Sequence, residues 1–242
     1  MEAMNYDIIR DAYDLVFRDT YKKVPFVCEL LKKYQVTSAL ELGSGSGLFT
    51  IPIKEAGFAI EGLELSREMI SFMAKKKSAL PIHQGNIRNY RLDRKYDAIL
   101  MLSSILVLLN DHEEIGESLR SSYEHLPSKG LFLLELPNHL VEIRESSNTQ
   151  EVHASDDNAT IVVMQSQATE RFWREHWYIF RQEGEIFSRE TTVCDEFLYS
   201  PQTLASQLDE IGFDVVETYG DLVGRSFDEK TSWRRVLVCQ KR

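Results

Sequence analysis

Long apolar runs, cysteines and basic charge are the things this 242-residue sequence has little of. Its longest apolar stretch, Ala98–Leu109, covers twelve residues and is broken by Ser103 and Ser104. That is short of the roughly 18 residues of a membrane-spanning helix. The opening MEAMNYDIIRD carries acids where a secretion signal would carry an apolar segment behind basic residues. Cys28, Cys194 and Cys239 lie far apart, without CxxC or Cys/His ligand spacing. Such a set suits core thiols in a reducing, cytoplasmic compartment better than disulfides or zinc. The six histidines lack ligand spacing too, so no metal site is expected. With 28 Lys+Arg against 38 Asp+Glu, the net charge of −10 argues against nucleic acid or an anionic membrane as partner.

What is present is an ordinary globular composition, 43% hydrophobic, long enough for one full-sized core. Residues 6–34 show helical spacing, with Ile8, Ile9, Ala12, Leu15 and Val16 on one stripe. Short apolar strands at 38–42, 59–63, 81–84, 96–102 and 131–136 then alternate with helices at 48–56, 67–77 and 111–126. Continuous apolar strands separated by helices indicate a parallel sheet covered on both faces. Residues 140–157 are polar and lack clear periodicity, whereas 160–169, 172–182 and 186–199 read as strands rich in aromatics. A helix capped by Ser200 runs from Pro201 to Gly212, and closing strands follow at 214–219 and 233–240. The expected fold class is α/β: a doubly wound, Rossmann-like, seven-stranded, mostly parallel sheet with an antiparallel β insertion. One domain then divides into a helical cover (1–35), a core (36–139), the insertion (140–200) and the closing elements (201–242).

Glu41-Leu-Gly43-Ser44-Gly45-Ser-Gly47 carries the most information. A buried strand ends at Leu42, three alternating glycines follow, and a helix begins near Leu48. Glycines permit positive φ and a close approach of ligand to backbone. In an open parallel sheet, ligands sit beyond the carboxyl ends of the strands. The next strand delivers Glu64 to that edge, 21 residues after Gly43, where an acid can accept from two ribose hydroxyls. Dinucleotide sites use G-x-G-x-x-G, which would put glycine where this chain has Leu48. An acid two residues before the first glycine suits an ammonium group and repels a pyrophosphate. The plainer alternative is a tight turn with a surface carboxylate.

On these residues the chain resembles the class I S-adenosyl-L-methionine-dependent methyltransferases, over about 36–137 and the closing elements. The resemblance implies that Glu41, Gly43, Ser44, Gly45 and Gly47 hold the methionine moiety and that Glu64 binds the ribose. It puts Asn86 and Ile87 at the adenine, where the family usually has aspartate before the hydrophobic residue. Leu65 and Met69 would wall the ring, and Leu102 and Ser103 would border the cofactor. Tyr13-Asp14 and Tyr21 are similar to the start of small-molecule N-methyltransferases such as the aminosugar-nucleotide dimethyltransferases, where tyrosines on a leading helix reach the cofactor. Ordinary helix packing is the alternative for both.

Methyl transfer from a sulfonium is an in-line displacement that needs alignment and exclusion of water, and an amine acceptor is helped by a base. Ser103 and Ser104 follow the fourth strand, and Asn138 and His139 follow the fifth, all at the cofactor edge. His139 is the candidate base, Asn138 and Ser104 are candidate acceptor ligands, and Trp173, Trp177 and Tyr178 are a candidate roof. The same aromatics equally suit the apolar face of a small sheet or a homodimer contact. The expected partner is a small-molecule acceptor, an amine or a hydroxyl. The alternatives are a protein acceptor and a cofactor-binding, non-catalytic dimerisation module.

Overall fold

The computed structural model describes residues 5–76, 79–146 and 148–242. Met1–Met4 of the opening segment and Lys77 of the predicted 67–77 helix lie outside the described residues. Two helices lead, α1 (Tyr6–Val16) and α2 (Val24–Lys33), with a 3₁₀ turn at Arg18–Lys22 between them. β1 (Ser38–Leu42), α3 (Thr50–Glu55), β2 (Ala59–Glu64), α4 (Arg67–Lys76) and β3 (Ile82–Gln84) form the first half of the sheet. β4 (Ala98–Met101), α5 (His112–Glu124) and β5 (Leu131–Pro137) begin the second half. It closes with α7 (Pro201–Ile211), β10 (Phe213–Tyr219) and β11 (Arg234–Lys241).

The order across this sheet is β10-β11-β5-β4-β1-β2-β3. β3, β2, β1, β4 and β5 run parallel, while β11 is antiparallel to both neighbours. Strand order therefore reverses between β1 and β4, the switch point where a crevice opens in doubly wound folds. Alternation along β1 sends Leu40 and Leu42 to a core shared with α5 and α7, and Ala39 to one shared with α2 and α3. Asp111 caps α5 by accepting from the Glu113 and Glu114 N–H groups, both at 3.0 Å. Ser200 caps α7, and Gly212 ends it in the left-handed conformation, φ 113°. No helix among the described residues is long and apolar enough to cross a membrane.

Between β5 and α7 lies a second, four-stranded antiparallel sheet: β6 (Gln150–Ala154), β7 (Thr160–Ala168), β8 (Phe172–Glu183) and β9 (Ile186–Phe197), in that order. Residues 140–157 are more regular than their polarity suggested, containing α6 (His139–Ser146) as well as β6. The reading failed there because α6 is short and β6 is an exposed edge strand, and neither needs an apolar pattern. α1 joins the two sheets. Its Ile9 and Ala12 pack on Val162, Met164, Trp177 and Ile179. Arg181 of β8 donates to the Ile8 carbonyl and to Asp11, each at 2.8 Å. On its other side, Asp14 accepts from Ser46 and Lys76. Because both N-terminal N–H groups of α5 depend on one carboxylate, Asp111→Ala is expected to cost about 1 kcal/mol, measurable by urea unfolding.

Candidate active site

The glycine loop turns back on the sheet as soon as β1 ends. Gly43 and Ser44 donate their N–H groups to the Leu63 carbonyl, at 2.8 and 3.1 Å. Gly43 and Gly47 hold φ of 66° and 86°, and added Cβ atoms would come within 2.4 Å of Ile105 and 2.8 Å of Ile51. The bend thus excludes side chains twice, by conformation and by space.

Glu64, buried at the end of β2, ties this loop to the next turn. Its Oε2 accepts from the Gly45 N–H and its Oε1 from the Ser66 N–H, both at 2.8 Å. Burial pushes its carboxyl up, and the N–H groups of Ser66, Gly45 and Leu65 oppose that shift. Each oxygen keeps lone-pair capacity for a further donor.

Above the loop opens a cavity of about 330 Å³. Gly43, Gly45, Glu64, Leu65 and Met69 form its floor, and Asn86, Ile87 and Arg88 one side. The back wall is Leu102, Ser103 and Ile105–Asn110, less Leu106 and Val107. Tyr13 and Phe17 come in from α1, and the second sheet supplies a roof of Glu175, Trp177, Cys194, Asp195 and Glu196. Ser103 and Ser104 both adopt left-handed backbone, φ 53° and 59°, a strain of about 1–3 kcal/mol each that surrounding contacts must hold. Glu135, fully buried in β5, accepts from the Ser103 N–H at 2.7 Å and pairs with Lys23 at 3.2 Å. Tyr13 has its hydroxyl proton held on by burial and by the nearby Glu64 carboxylate.

Several candidates from the sequence stand elsewhere. Glu41 lies under the loop bonded to Thr50 Oγ1, outside the cavity wall, because β1 points it into the layer beneath. Ser44 packs against Gly62, Gly47 ends the loop against Ile51 and Met73, and Ser104 is buried at the start of the 3₁₀ turn. Asn86 lines the cavity, yet its side-chain carbonyl also closes a turn by accepting from the Arg88 N–H at 2.9 Å. Tyr21 is 63% exposed on the first 3₁₀ turn.

His139 is buried at the head of α6, with Nδ1 3.2 Å from Glu142 and Nε2 3.2 Å from the Phe197 carbonyl. It is absent from the cavity wall, and its ring is held by partners on α6 and β9. Asn138 donates to the carbonyls of Glu229 and Ser232, at 2.9 and 2.8 Å, and fastens β5 to the loop before β11. Trp173 is buried behind Glu175, and Tyr178 faces the outer side of β8 with His176 and Arg189.

Sequence reasoning missed Phe17, Arg88 and the 3₁₀ turn Ile105–Leu108, whose apolar side chains look like core. It also missed the roof acids. Their signal was legible: β8 alternates Trp173, Glu175 and Trp177 on one face, and an acid on an apolar stripe is out of place. Burial pushes the carboxyls of Glu175 and Glu196 upward, and Glu142 adds to it in both. Arg234 is half-buried, bonded to Glu142 at 2.7 Å and faced by Glu135, Glu196 and Glu175.

A family model described as a methyltransferase domain matches residues 17–218. The chain belongs to this family. A dTDP-3-amino-3,4,6-trideoxy-alpha-D-glucopyranose N,N-dimethyltransferase from Streptomyces venezuelae is 28% identical over 131 residues, 52% of this chain and 55% of that protein. A dTDP-3-amino-3,6-dideoxy-alpha-D-glucopyranose N,N-dimethyltransferase from Streptomyces fradiae is 23% identical over 52% of each chain. The chain thus spans about half the length of these two relatives. Among solved structures, an S-adenosylmethionine-dependent methyltransferase from Clostridium acetobutylicum superposes with a TM-score of 0.85 at 17% identity, over 98% of each chain. An amino pentose methyltransferase from Micromonospora echinaspora, CalS10 with S-adenosylmethionine bound, superposes at 0.77 over the whole of both chains, at 17% identity. These superpositions establish the fold, second sheet included.

Burial pushes the Glu41 carboxyl up to about 8, with the Glu64 charge adding to it and the Thr50 bond opposing it. A carboxyl whose folded value lies above its unfolded one holds its full stability contribution below the unfolded value, near 4.5, and loses it as pH rises through about 8. Glu41→Gln removes that titration. Its Tm is therefore expected to gain on wild type by several degrees between pH 5 and 8 in the ligand-free protein, read by calorimetry across that range.

Proposed function

We propose that this chain is an S-adenosyl-L-methionine-dependent methyltransferase that methylates the amine of a small molecule. One observation carries the cofactor half of the reading: a buried carboxylate clamped by two backbone N–H groups beside a glycine loop, at the switch point of the sheet. Glu64 would hold the ribose hydroxyls there, and its two fixed N–H donors set its oxygens in place before any ligand arrives. Leu65, Met69 and Ile87 offer apolar walls to the purine, while Asn86 offers the remaining lone pair of its amide oxygen. The loop Gly43–Gly47 leaves room for the backbone to approach the methionine moiety. When bound, the cofactor supplies an activated methyl group on a sulfonium.

The protein's remaining work is to enclose and align an acceptor. Tyr13, Phe17 and Trp177 form a continuous ring contact over the cavity, with centroids 4.5 and 6.1 Å apart along the chain of three. That cover excludes water from the reacting centre. An amine attacks as its free base, so a proton must leave it first. The carboxyls of Glu175 and Glu196 stand on the same cavity and can take that proton, whereas a hydroxyl would need a stronger base. This acidic roof, together with the sugar N,N-dimethyltransferase relatives, favours an amine.

S-adenosylhomocysteine at about 100 times its Kd is expected to add roughly 2.7 kcal/mol, or a Tm rise of about 5–10 °C for a domain of this size. Glu64→Ala removes a charged hydrogen-bond acceptor and is expected to weaken S-adenosylhomocysteine binding about 10–100-fold, measured by titration calorimetry. No shift with this compound, beside a shift with NAD, rejects the reading.

A further inference from the structure

The roof residue Glu175 is held in an unusual way. Trp173 Nε1–H donates to its Oε1 at 3.4 Å and Trp177 Nε1–H to its Oε2 at 3.3 Å. Two neutral indole donors therefore orient the carboxyl without supplying a countercharge. The cation that faces it, Arg234, is bonded to Glu142 at 2.7 Å. Across the strand stands Cys194, and beside that Glu196. Both line the same cavity as Glu175.

A second feature, independent of the acids, lies on the same cavity. The rings of Tyr13, Phe17 and Trp177 wall it, with Phe17 in contact with each of the other two. Aromatic faces next to a carboxylate bind alkylammonium groups, since ring quadrupole and anion attract the same cation. Phosphate meets the reverse. Among the described residues five carboxyl side chains line the cavity; Asp195 is paired with Arg174 at 2.6 and 2.8 Å and Glu114 with Arg88, which leaves Glu64, Glu175 and Glu196, and the one lining cation is Arg88. Arg88 is already spent on Glu114, at 2.8 Å, and on Glu117. At the rim, Arg171 reaches the Asn110 carbonyl at 3.4 Å, and one exposed guanidinium cannot offset that lining for a diphosphate.

We propose that Glu175 seats the ammonium group of the acceptor under the rings of Tyr13, Phe17 and Trp177, and that the acceptor is a small cationic amine without phosphate. The proposal rests on the methyltransferase reading above and differs from the nucleotide-linked sugars in the names of the relatives. It follows from the roof rather than from the cofactor loop.

Calorimetric titrations of the full chain saturated with S-adenosylhomocysteine test it, with glucosamine, putrescine and benzylamine as free amines and UDP-glucosamine as the phosphate-bearing counterpart. At least one free amine is expected to bind, and glucosamine at least tenfold more tightly than UDP-glucosamine. Glu175→Gln keeps the shape and both indole contacts on a neutral group. It is expected to weaken the bound amine tenfold or more while S-adenosylhomocysteine affinity stays within twofold, which also reports an intact fold. Trp177→Phe keeps a ring but deletes one donor, and is expected to weaken the amine about threefold. Tighter binding of UDP-glucosamine, no binding of any free amine, or amine affinity unchanged in Glu175→Gln overturns the proposal. Failure of wild type to bind S-adenosylhomocysteine overturns the methyltransferase reading itself, and this proposal with it.

Discussion

Glu64 is bonded through both oxygens to backbone N–H groups, one in the glycine loop and one at the entrance to α4. The carboxylate therefore fixes the spacing between two loops that emerge from neighbouring parallel strands. A loop rich in glycine loses much conformational freedom on folding, and this pair of bonds helps to hold the loop in one shape. Tyr13 and the cavity floor adjoin this clamp. The group best placed to recognise a ligand is thus also the group that builds the site.

Around this clamp, buried polar and charged side chains hold neighbouring elements together. Glu135 fixes the left-handed Ser103 amide and meets Lys23, which stands between the first 3₁₀ turn and α2. Asn138 secures the loop before β11, and Arg234 with Glu142 sits behind the roof. Charges so placed are costly unless paired or hydrogen-bonded. Each of these has a partner, and each partner belongs to a different element of the chain.

The cavity belongs to both sheets. The parallel sheet provides the floor and back, and the antiparallel sheet lays Glu175, Trp177, Cys194, Asp195 and Glu196 over the top. α1 closes the side because its two flanks bind different partners, the second sheet through Ile9 and Ala12 and the loop and α4 through Asp14. A fold shared with known methyltransferases accounts for the floor. The roof comes from the second sheet, and fold alone does not set which acceptor a site takes.

Periodicity and glycine placement determined much of this protein on their own. Apolar strands alternating with amphipathic helices specify the parallel sheet, because no other arrangement buries both faces of such strands. Gly43, Gly45 and Gly47 announce the loop because all three take left-handed backbone, and at Gly43 and Gly47 a side chain would also lack space. Glu64 was legible from the end of its strand. Tertiary structure decided which of the neighbours share a cavity. His139 and Asn138 lie at the correct edge in sequence, yet local partners on α6, β9 and the loop before β11 turn both inward. Glu41 is adjacent to the loop but points to Thr50. Glu175 and Glu196 reach the site from about a hundred residues away, through strand pairing that no local pattern encodes. Local propensity acts over a few residues, and the meeting of a roof with a floor depends on long-range packing.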